Sequence, residues 1–196
     1  MSTQKNNITG KRLAKLLAQD EKILHSKDLA NLWNIANNNT LRTTLKRYCK
    51  NQLLYRIYKG FYSVVKPEKV DPGILGAKAI HGYCYLSTES VLFFEGYISK
   101  KITSHTFVAE KSRRFTIGKN LYRSRQLNTK YLFNPEGVEI KNSLKQANVY
   151  RAIADMLYFS PKYHFDREVD WEKVKNMQKK IGYPLTPTRY AVAKSH

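Results

Sequence analysis

The sequence predicts an α+β protein with two domains, and three observations support this interpretation. Three short segments of helical period occupy the first 50 residues, and an aromatic, β-branched stretch with a central glycine follows them at 53–65. The segment KPEKVDPG, with two prolines and a glycine, then separates this part from a longer one of mixed helical and alternating patterns. A chain of 196 residues is long enough for two small domains.

The first two helices are short and precede a turn. The first is predicted over residues 8–24, where leucines fall on one side and basic residues on the other. Ser26 is the expected N-cap of the second helix, which has an apolar edge at Leu29 and Trp33. The asparagine run at 37–39 ends this helix, because asparagine tolerates turn conformations.

The third helix is predicted to begin near Asn39 or Thr40 and to have two distinct faces. At about 100° per residue, Leu41, Leu45 and Tyr48 fall together on an apolar face. The opposite face is rich in hydrogen-bond donors, and its members are Arg42, Thr43, Lys46, Arg47 and Lys50.

A β-hairpin is predicted next, with strands at 53–57 and 61–65. The turn Tyr-Lys-Gly joins them, because Gly60 adopts positive φ without steric cost. Three short helices followed by a hairpin is the element order of a winged helix-turn-helix, which the sequence places at residues 1–66. Residues 67–73 are the predicted linker.

The second domain is predicted over residues 74–182 as a mixed α/β unit with a small antiparallel sheet. It begins with a helix, and a strand then leads into another helix capped by Ser87. Alternation over residues 104–133 indicates three antiparallel strands.

Two more helices are expected near the end of the chain. Asn148 is the expected cap of the first, and the second runs from Asp170 to Gly182. The tail at 183–196 carries two prolines and is expected to be loose.

Net charge and cysteine usage indicate the partner and the compartment. The chain has 35 basic and 15 acidic residues, a net charge of +20, and residues 1–66 alone carry 13 basic and 3 acidic residues. This excess predicts a polyanion, with nucleic acid first and an anionic membrane surface second. Two cysteines and the absence of an apolar leader indicate a cytoplasmic protein. No apolar run approaches the roughly 20 residues that span a bilayer.

The third helix and the hairpin are the candidate DNA-binding surface. In helix-turn-helix proteins the last helix lies in the major groove, and its first residues meet base edges. Base readout is therefore expected from Asn39, Arg42 and Thr43. Phosphate contacts are expected from Lys46, Arg47 and Lys50. In the wing, Arg56, Tyr58 and Lys59 are expected to reach the flanking backbone or the minor groove. A solvated basic helix face is the competing interpretation.

A second basic surface is predicted in the C-terminal domain, where nine basic residues and one acidic residue lie between Ser99 and Lys130. Its candidate members are Arg113, Arg114, Lys119, Arg123 and Arg125. Three interpretations stay open. They are a further DNA or RNA surface with Phe115 and Tyr122 available for stacking, a solvated sheet face, and a patch for an acidic protein.

Signals of an enzyme are weak. Glu139 and Lys141 have the E-x-K spacing of metal-dependent nucleases, but that chemistry needs a further aspartate, and none occurs between Asp71 and Asp155. There is no P-loop and no G-x-G-x-x-G motif. We therefore predict a non-enzymatic protein without catalytic residues, metal or cofactor. The alternatives are an RNA-binding module centred on 99–130 and a basic nuclease.

Three segments carry a resemblance to a known family. LKRYCKNQLLYRIYKGFYSV has a helix running into a hairpin whose turn is Lys59-Gly60-Phe61-Tyr62. YLSTESVLFFEGYI matches a second motif at Tyr85, Ser87, Ser90, Leu92, Gly96 and Ile98. ANVYRAIADMLYF matches a third at Arg151, Ala152, Asp155, Leu157 and Tyr158. In this order they resemble the AbiEi-type antitoxins of type IV toxin–antitoxin systems.

The resemblance implies a winged-helix domain that binds operator DNA and represses its own operon. It also implies a C-terminal domain that counteracts a nucleotidyltransferase-type toxin without forming a stable complex with it. A stand-alone winged-helix repressor would have the same architecture and is the alternative.

Overall fold

The computed structural model describes residues 2–58 and 60–186, with side chains from residue 10 onward. The protein is mixed α+β and divides into two compact units between Asp71 and Pro72. The elements of the first unit are α1 Ser2–Leu17, β1 Ile23–His25, α2 Ser26–Leu32, α3 Asn38–Lys50, β2 Tyr55–Tyr58 and β3 Phe61–Ser63. A 3₁₀ turn at Pro67–Lys69 lies in the predicted linker. Among the described residues, no helix is both long and apolar enough to cross a bilayer.

The first unit contains an antiparallel three-stranded sheet in the order β1-β3-β2. The prediction of a helix over 8–24 is wrong at its end, because α1 stops at Leu17 and Ile23–His25 is a strand. Ile23 and Leu24 are buried and pair with β3, so they belong to the core through the sheet. A strand of three residues is too short to show a period in the sequence.

The N-cap of α2 is also one residue earlier than predicted. The cap is His25, whose backbone N–H donates to Asp28 Oδ2 at 2.8 Å. The backbone N–H of Ser26 instead donates to the carbonyl oxygen of Gly60 at 2.9 Å. The start of α2 is therefore joined to the end of the hairpin turn.

One hydrophobic cluster holds the helices and the sheet of the first unit together. It consists of Leu16, Leu24, Leu29, Trp33, Ile35, Leu41, Leu45, Tyr48, Leu54 and Tyr62. Within this cluster, the ring centroid of Trp33 lies 4.9 Å from that of Tyr48. Trp33 Nε1 donates to the Arg12 carbonyl oxygen at 3.1 Å, which satisfies the polar atom of a buried indole.

The second unit is built on a six-stranded mixed sheet in the order β6-β7-β5-β4-β9-β8. Its elements are α4 Pro72–Ile80, β4 Cys84–Leu86, α5 Glu89–Phe94, β5 Ser104–Ala109, β6 Arg113–Ile117, β7 Asn120–Gln126, α6 Thr129–Leu132, β8 Val138–Lys141, β9 Leu144–Ala147, α7 Val149–Phe159 and α8 Trp171–Ile181. The prediction of a small antiparallel sheet for this unit is wrong. Four of its strands form two parallel pairs, β5 with β7 and β4 with β9.

The parallel β5–β7 pair explains why alternation over 104–133 was misleading. After β5 the chain passes to the edge of the sheet and forms β6. It then returns as β7, which lies between β5 and β6. Two hydrogen bonds join the β5–β6 connection to β7. Ser124 Oγ donates to the Lys111 carbonyl oxygen at 2.7 Å, and Ser112 Oγ accepts from Gln126 N–H at 2.9 Å. The last predicted strand is instead helix α6, capped by Asn128.

Ser87 does not cap α5, contrary to the prediction. The cap position is Thr88, whose φ of 49° and ψ of −129° lie in a region that favours glycine. The Ser87 hydroxyl donates to Asp155 Oδ2 at 2.7 Å. The chain therefore turns sharply between β4 and α5 while Ser87 points into the core.

The predicted starts of the last two helices are confirmed. Asn148 accepts a hydrogen bond from the backbone of α7, and α8 runs from its cap Asp170 to Gly182 at a φ of 87°. Within residues 183–186, which we expected to be loose, Tyr183 and Thr186 are buried, whereas Pro184 and Leu185 are exposed. Tyr183 is 5% exposed, and Gln178 Nε2 donates to Thr186 Oγ1 at 2.8 Å. Residues 187–196 of the predicted tail lie outside the described residues.

Gly76 allows α4 to lie against the sheet. A Cβ atom at this position would be 2.4 Å from a ring carbon of Tyr122 and 2.9 Å from one of Phe107.

Gly76→Ala is expected to lower the free energy of unfolding by about 1–3 kcal/mol, because overpacking outweighs the gain in helix propensity. Urea unfolding checks this, with Gly82→Ala as the control, because nothing lies within 4 Å of a Cβ there. Equal stability of the two variants would contradict the close packing.

Candidate nucleic-acid interface

The asparagine run builds the start of α3. Asn37 Oδ1 accepts hydrogen bonds from the backbone N–H groups of Asn39 and Thr40, at 2.9 and 3.0 Å. The helix begins at Asn38, slightly earlier than predicted, because Asn37 acts as its N-cap. The side chain of Asn39 is exposed in the first turn, the part of a recognition helix that meets base edges.

The two faces of α3 differ as predicted. Leu41, Leu45 and Tyr48 are buried, with 7%, 4% and 1% of their surfaces exposed. Thr44 is buried with them, which the sequence analysis did not predict. Because the core fixes one face of α3, the other face is held towards solvent.

The exposed face of α3 carries all six residues named from the sequence. They are Asn39, Arg42, Thr43, Lys46, Arg47 and Lys50. Helix α3 contains no acidic residue. Among the described residues, none forms a salt bridge with Arg42, Lys46 or Lys50. These three positive charges are therefore available to a phosphate backbone.

The hairpin presents two of the three predicted wing residues. Arg56 and Tyr58 are exposed on β2, while Tyr55 and Ile57 are half-buried. The Tyr58 ring centroid lies 4.9 Å from that of the buried Phe61. Lys59 lies outside the described residues. Gly60 has the positive φ expected of the turn, 78°.

The second basic surface is partly paired with an acid. Arg113, Arg114 and Lys119 are exposed, whereas the Arg123 and Arg125 side chains are only 37% and 14% exposed. Both approach Glu89, which forms an ion pair with Arg125 and has its Oε1 3.9 Å from Arg123 Nη1. Glu89 was not predicted as part of this surface, because it comes from α5 and nothing local in the sequence relates it to β7.

Tyr122 is not available for base stacking, which corrects the stacking interpretation. It is 1% exposed, packs against Phe107 and α4, and stacks on Phe115 at 5.1 Å. Side chains alternate between the two faces of a strand, so Tyr122 points away from Arg123. The basic side chains of β7 and its buried aromatic ring therefore lie on opposite faces of the sheet.

The nuclease-like pair lies on an edge strand. Glu139 Oε2 and Lys141 Nζ are 3.8 Å apart on β8, and both side chains are about half exposed. Within residues 2–58 and 60–186, no group of three His, Cys, Asp or Glu side chains is placed to hold a metal ion.

Four residues of the family resemblance, Tyr85, Ser87, Arg151 and Asp155, meet in a buried ion pair and its hydrogen bonds. Arg151 and Asp155 are 0% exposed, and Arg151 Nε donates to Asp155 Oδ1 at 3.0 Å. Ser87 donates to the other carboxylate oxygen, and the Tyr183 hydroxyl donates to Oδ1 at 2.6 Å.

The remaining donors of Arg151 are also satisfied. Arg151 Nη2 donates to the Tyr85 hydroxyl at 2.6 Å, and three carbonyl oxygens in 131–136 accept the rest. All five guanidinium N–H groups have partners. Burial alone would lower the pKa of Arg151, but Asp155 and the nearby tyrosines raise it above its ordinary value. The network is buried and fully bonded, so it supports the fold of the second unit rather than a reaction site.

Comparison with known proteins adds information on the fold. No protein-family model matches the chain, and no curated protein matches it. The structure is similar to the crystal structure of the RV2827C protein from Mycobacterium tuberculosis, with a TM-score of 0.54 and 10% sequence identity over 94% of this chain and 75% of that chain. At this identity the similarity concerns the fold alone.

Proposed function

We propose that this chain is a cytoplasmic DNA-binding transcriptional regulator whose first unit acts as a winged helix-turn-helix. In this proposal α3 lies in the major groove and the β2–β3 hairpin is the wing. Asn39, Arg42 and Thr43 read bases, and Lys46, Arg47 and Lys50 contact phosphates. Arg56, Tyr58 and Lys59 contact the flanking backbone or minor groove.

One observation carries the proposal: α3 is buried on one face and presents donors without acids on the other. A solvated surface helix usually mixes both charge signs, because intrahelical pairs stabilise it. Here α3 has a basic face, and the hairpin that follows it exposes Arg56 and Tyr58, in a chain of net charge +20. That combination matches the electrostatic requirement of a DNA backbone.

Arg42→Ala and Lys46→Ala are expected to weaken DNA binding in different ways. Loss of a base contact at Arg42 should cost about 1–3 kcal/mol on the preferred sequence and relax specificity. Loss of a phosphate contact at Lys46 should weaken binding to all duplexes and reduce the slope of log K against log salt by about 1. Fluorescence anisotropy over a salt series measures both. If both variants bind like the parent and like the control Lys179→Ala, the assignment of α3 is wrong.

We further propose that the protein is an AbiEi-like antitoxin that represses its own operon and counteracts a nucleotidyltransferase-type toxin. The matching motif positions Tyr85, Ser87, Arg151 and Asp155 support this proposal, because they are joined in one buried network. A toxin gene is expected next to this gene, and co-expression of this protein should restore the growth that the toxin inhibits. Repression without any toxin gene would favour the stand-alone repressor.

A further inference from the structure

A cluster of arginines on the second unit has a geometry that the DNA-binding proposal does not use. Arg114 on β6 lies directly opposite Arg123 on β7, and Arg125 follows on the same face of β7. Like charges directly opposite each other on neighbouring strands are destabilising. The sheet therefore holds three guanidinium groups close together against their mutual repulsion.

Glu89 compensates only part of this charge. It pairs with Arg125 and lies near Arg123, as described above. Burial on its own would raise the pKa of Glu89, but hydrogen bonds to the carboxylate and the charge of Arg125 leave it below its ordinary value. Burial lowers the pKa of Arg123, and the charges of Arg125 and Arg114 lower it further. Glu89 thus supplies one negative charge against the three positive charges of Arg114, Arg123 and Arg125.

A cleft of about 260 Å³ opens at this cluster. It is lined by Ser112, Arg113, Arg114, Arg123, Ser124 and Arg125. The two serine hydroxyls are already bonded to the neighbouring backbone. A second cleft, of about 430 Å³, is also lined by Arg114 and Arg123. The remaining polar groups of the first cleft are guanidinium donors, so a ligand there must supply negatively charged acceptors.

We propose that this cleft binds the phosphate groups of a small polyphosphorylated ligand, with Arg114 and Arg123 as its main donors. The planar guanidinium group matches phosphate oxygens in bidentate pairs. Arg125 is held in place by Glu89 and lies over the Phe159 ring, 5.2 Å from its centroid. A single nucleic-acid strand fits less well, because binding it without sequence preference relies on aromatic platforms.

This inference concerns the second unit and is independent of the DNA-binding proposal. Isothermal titration of the full chain with inorganic tripolyphosphate, at constant ionic strength, is expected to give saturable 1:1 binding. The double variant Arg114→Gln, Arg123→Gln should raise the Kd at least tenfold. The control Lys130→Gln, Lys179→Gln removes the same charge from exposed positions outside the cleft and should change the Kd less than twofold.

Glu89→Gln provides a test of opposite sign. It keeps every arginine and removes the carboxylate that competes for them, so tripolyphosphate should bind severalfold more tightly. Thermal unfolding shows whether each variant is folded. If the double arginine variant is not folded, Glu89→Gln still tests the proposal. Weaker binding by Glu89→Gln, equal losses in both double variants, or no saturation in the parent would overturn the proposal. The proposal would also be overturned if the Arg114→Gln, Arg123→Gln variant kept its affinity for tripolyphosphate but lost affinity for duplex DNA. That result would assign the cleft to nucleic acid.

Discussion

Asp155→Ala is expected to lower the free energy of unfolding of the second unit by about 3–5 kcal/mol, because it leaves a buried arginine charge unpaired. Asp155 also accepts from Ser87 and Tyr183, which would lose a partner. The chain has two tryptophans, and Trp33 belongs to the first unit while Trp171 belongs to the second. Urea unfolding followed by Trp171 fluorescence in a Trp33→Phe background therefore measures the second unit.

A paired substitution separates the buried charge from the loss of packing. Arg151→Met with Asp155→Leu removes both charges and fills similar volume, so it should cost less than the sum of the two single changes, although three hydroxyls and three carbonyl oxygens lose their partners. Tyr183→Phe removes one hydrogen bond to a charged acceptor and should cost about 1.5–3 kcal/mol. A loss below about 1 kcal/mol in Asp155→Ala would mean that the network does not stabilise the unit.

Replacing Arg42, Lys46 and Lys50 together by glutamine is expected to weaken duplex binding about 100-fold or more at moderate salt. Three contacts with phosphates or base edges are lost, and each phosphate contact contributes about 0.9 to the salt slope. Such a loss corresponds to roughly 3 kcal/mol of binding free energy. Anisotropy titrations at several salt concentrations measure the affinity and the slope together.

The control for this variant removes the same charge elsewhere. Lys100, Lys101 and Lys179 are exposed residues of the second unit, and replacing all three by glutamine gives a chain of equal net charge. If binding depends on the α3 face, this control should stay within a few-fold of the parent. Similar losses in both triple variants would indicate diffuse attraction to a basic protein rather than a recognition helix.

The elements that sequence analysis located correctly have local signals. Helix α8 has Asp170 at one end and Gly182 at the other, and both take their expected capping roles. The α3 prediction was accurate because three apolar positions at helical spacing were enough to define its buried face. Gly60 also gave a local signal for the hairpin turn, because the positive φ found there is costly for other residues.

The features that were missed depend on residues far apart in the chain. The short β1 becomes a strand by pairing with β3, and β7 inserts between β5 and β6. Nothing local distinguishes this arrangement from an antiparallel meander. Glu89 illustrates the same difficulty, because its role depends on Arg125, whose position is set by the sheet. The expectation that Tyr122 is available for stacking was wrong, because sequence alone did not show that α4 covers this residue.

NMR of the full chain can show whether duplex DNA binds at α3 and the hairpin. Backbone amide shifts would be recorded while a duplex from the region upstream of its own gene is added. If α3 and the hairpin bind DNA, shift changes should be concentrated in residues 37–50 and 55–63, with affinity that falls as salt rises. Changes confined to 113–126, or no changes at all, would contradict binding at α3 and the hairpin.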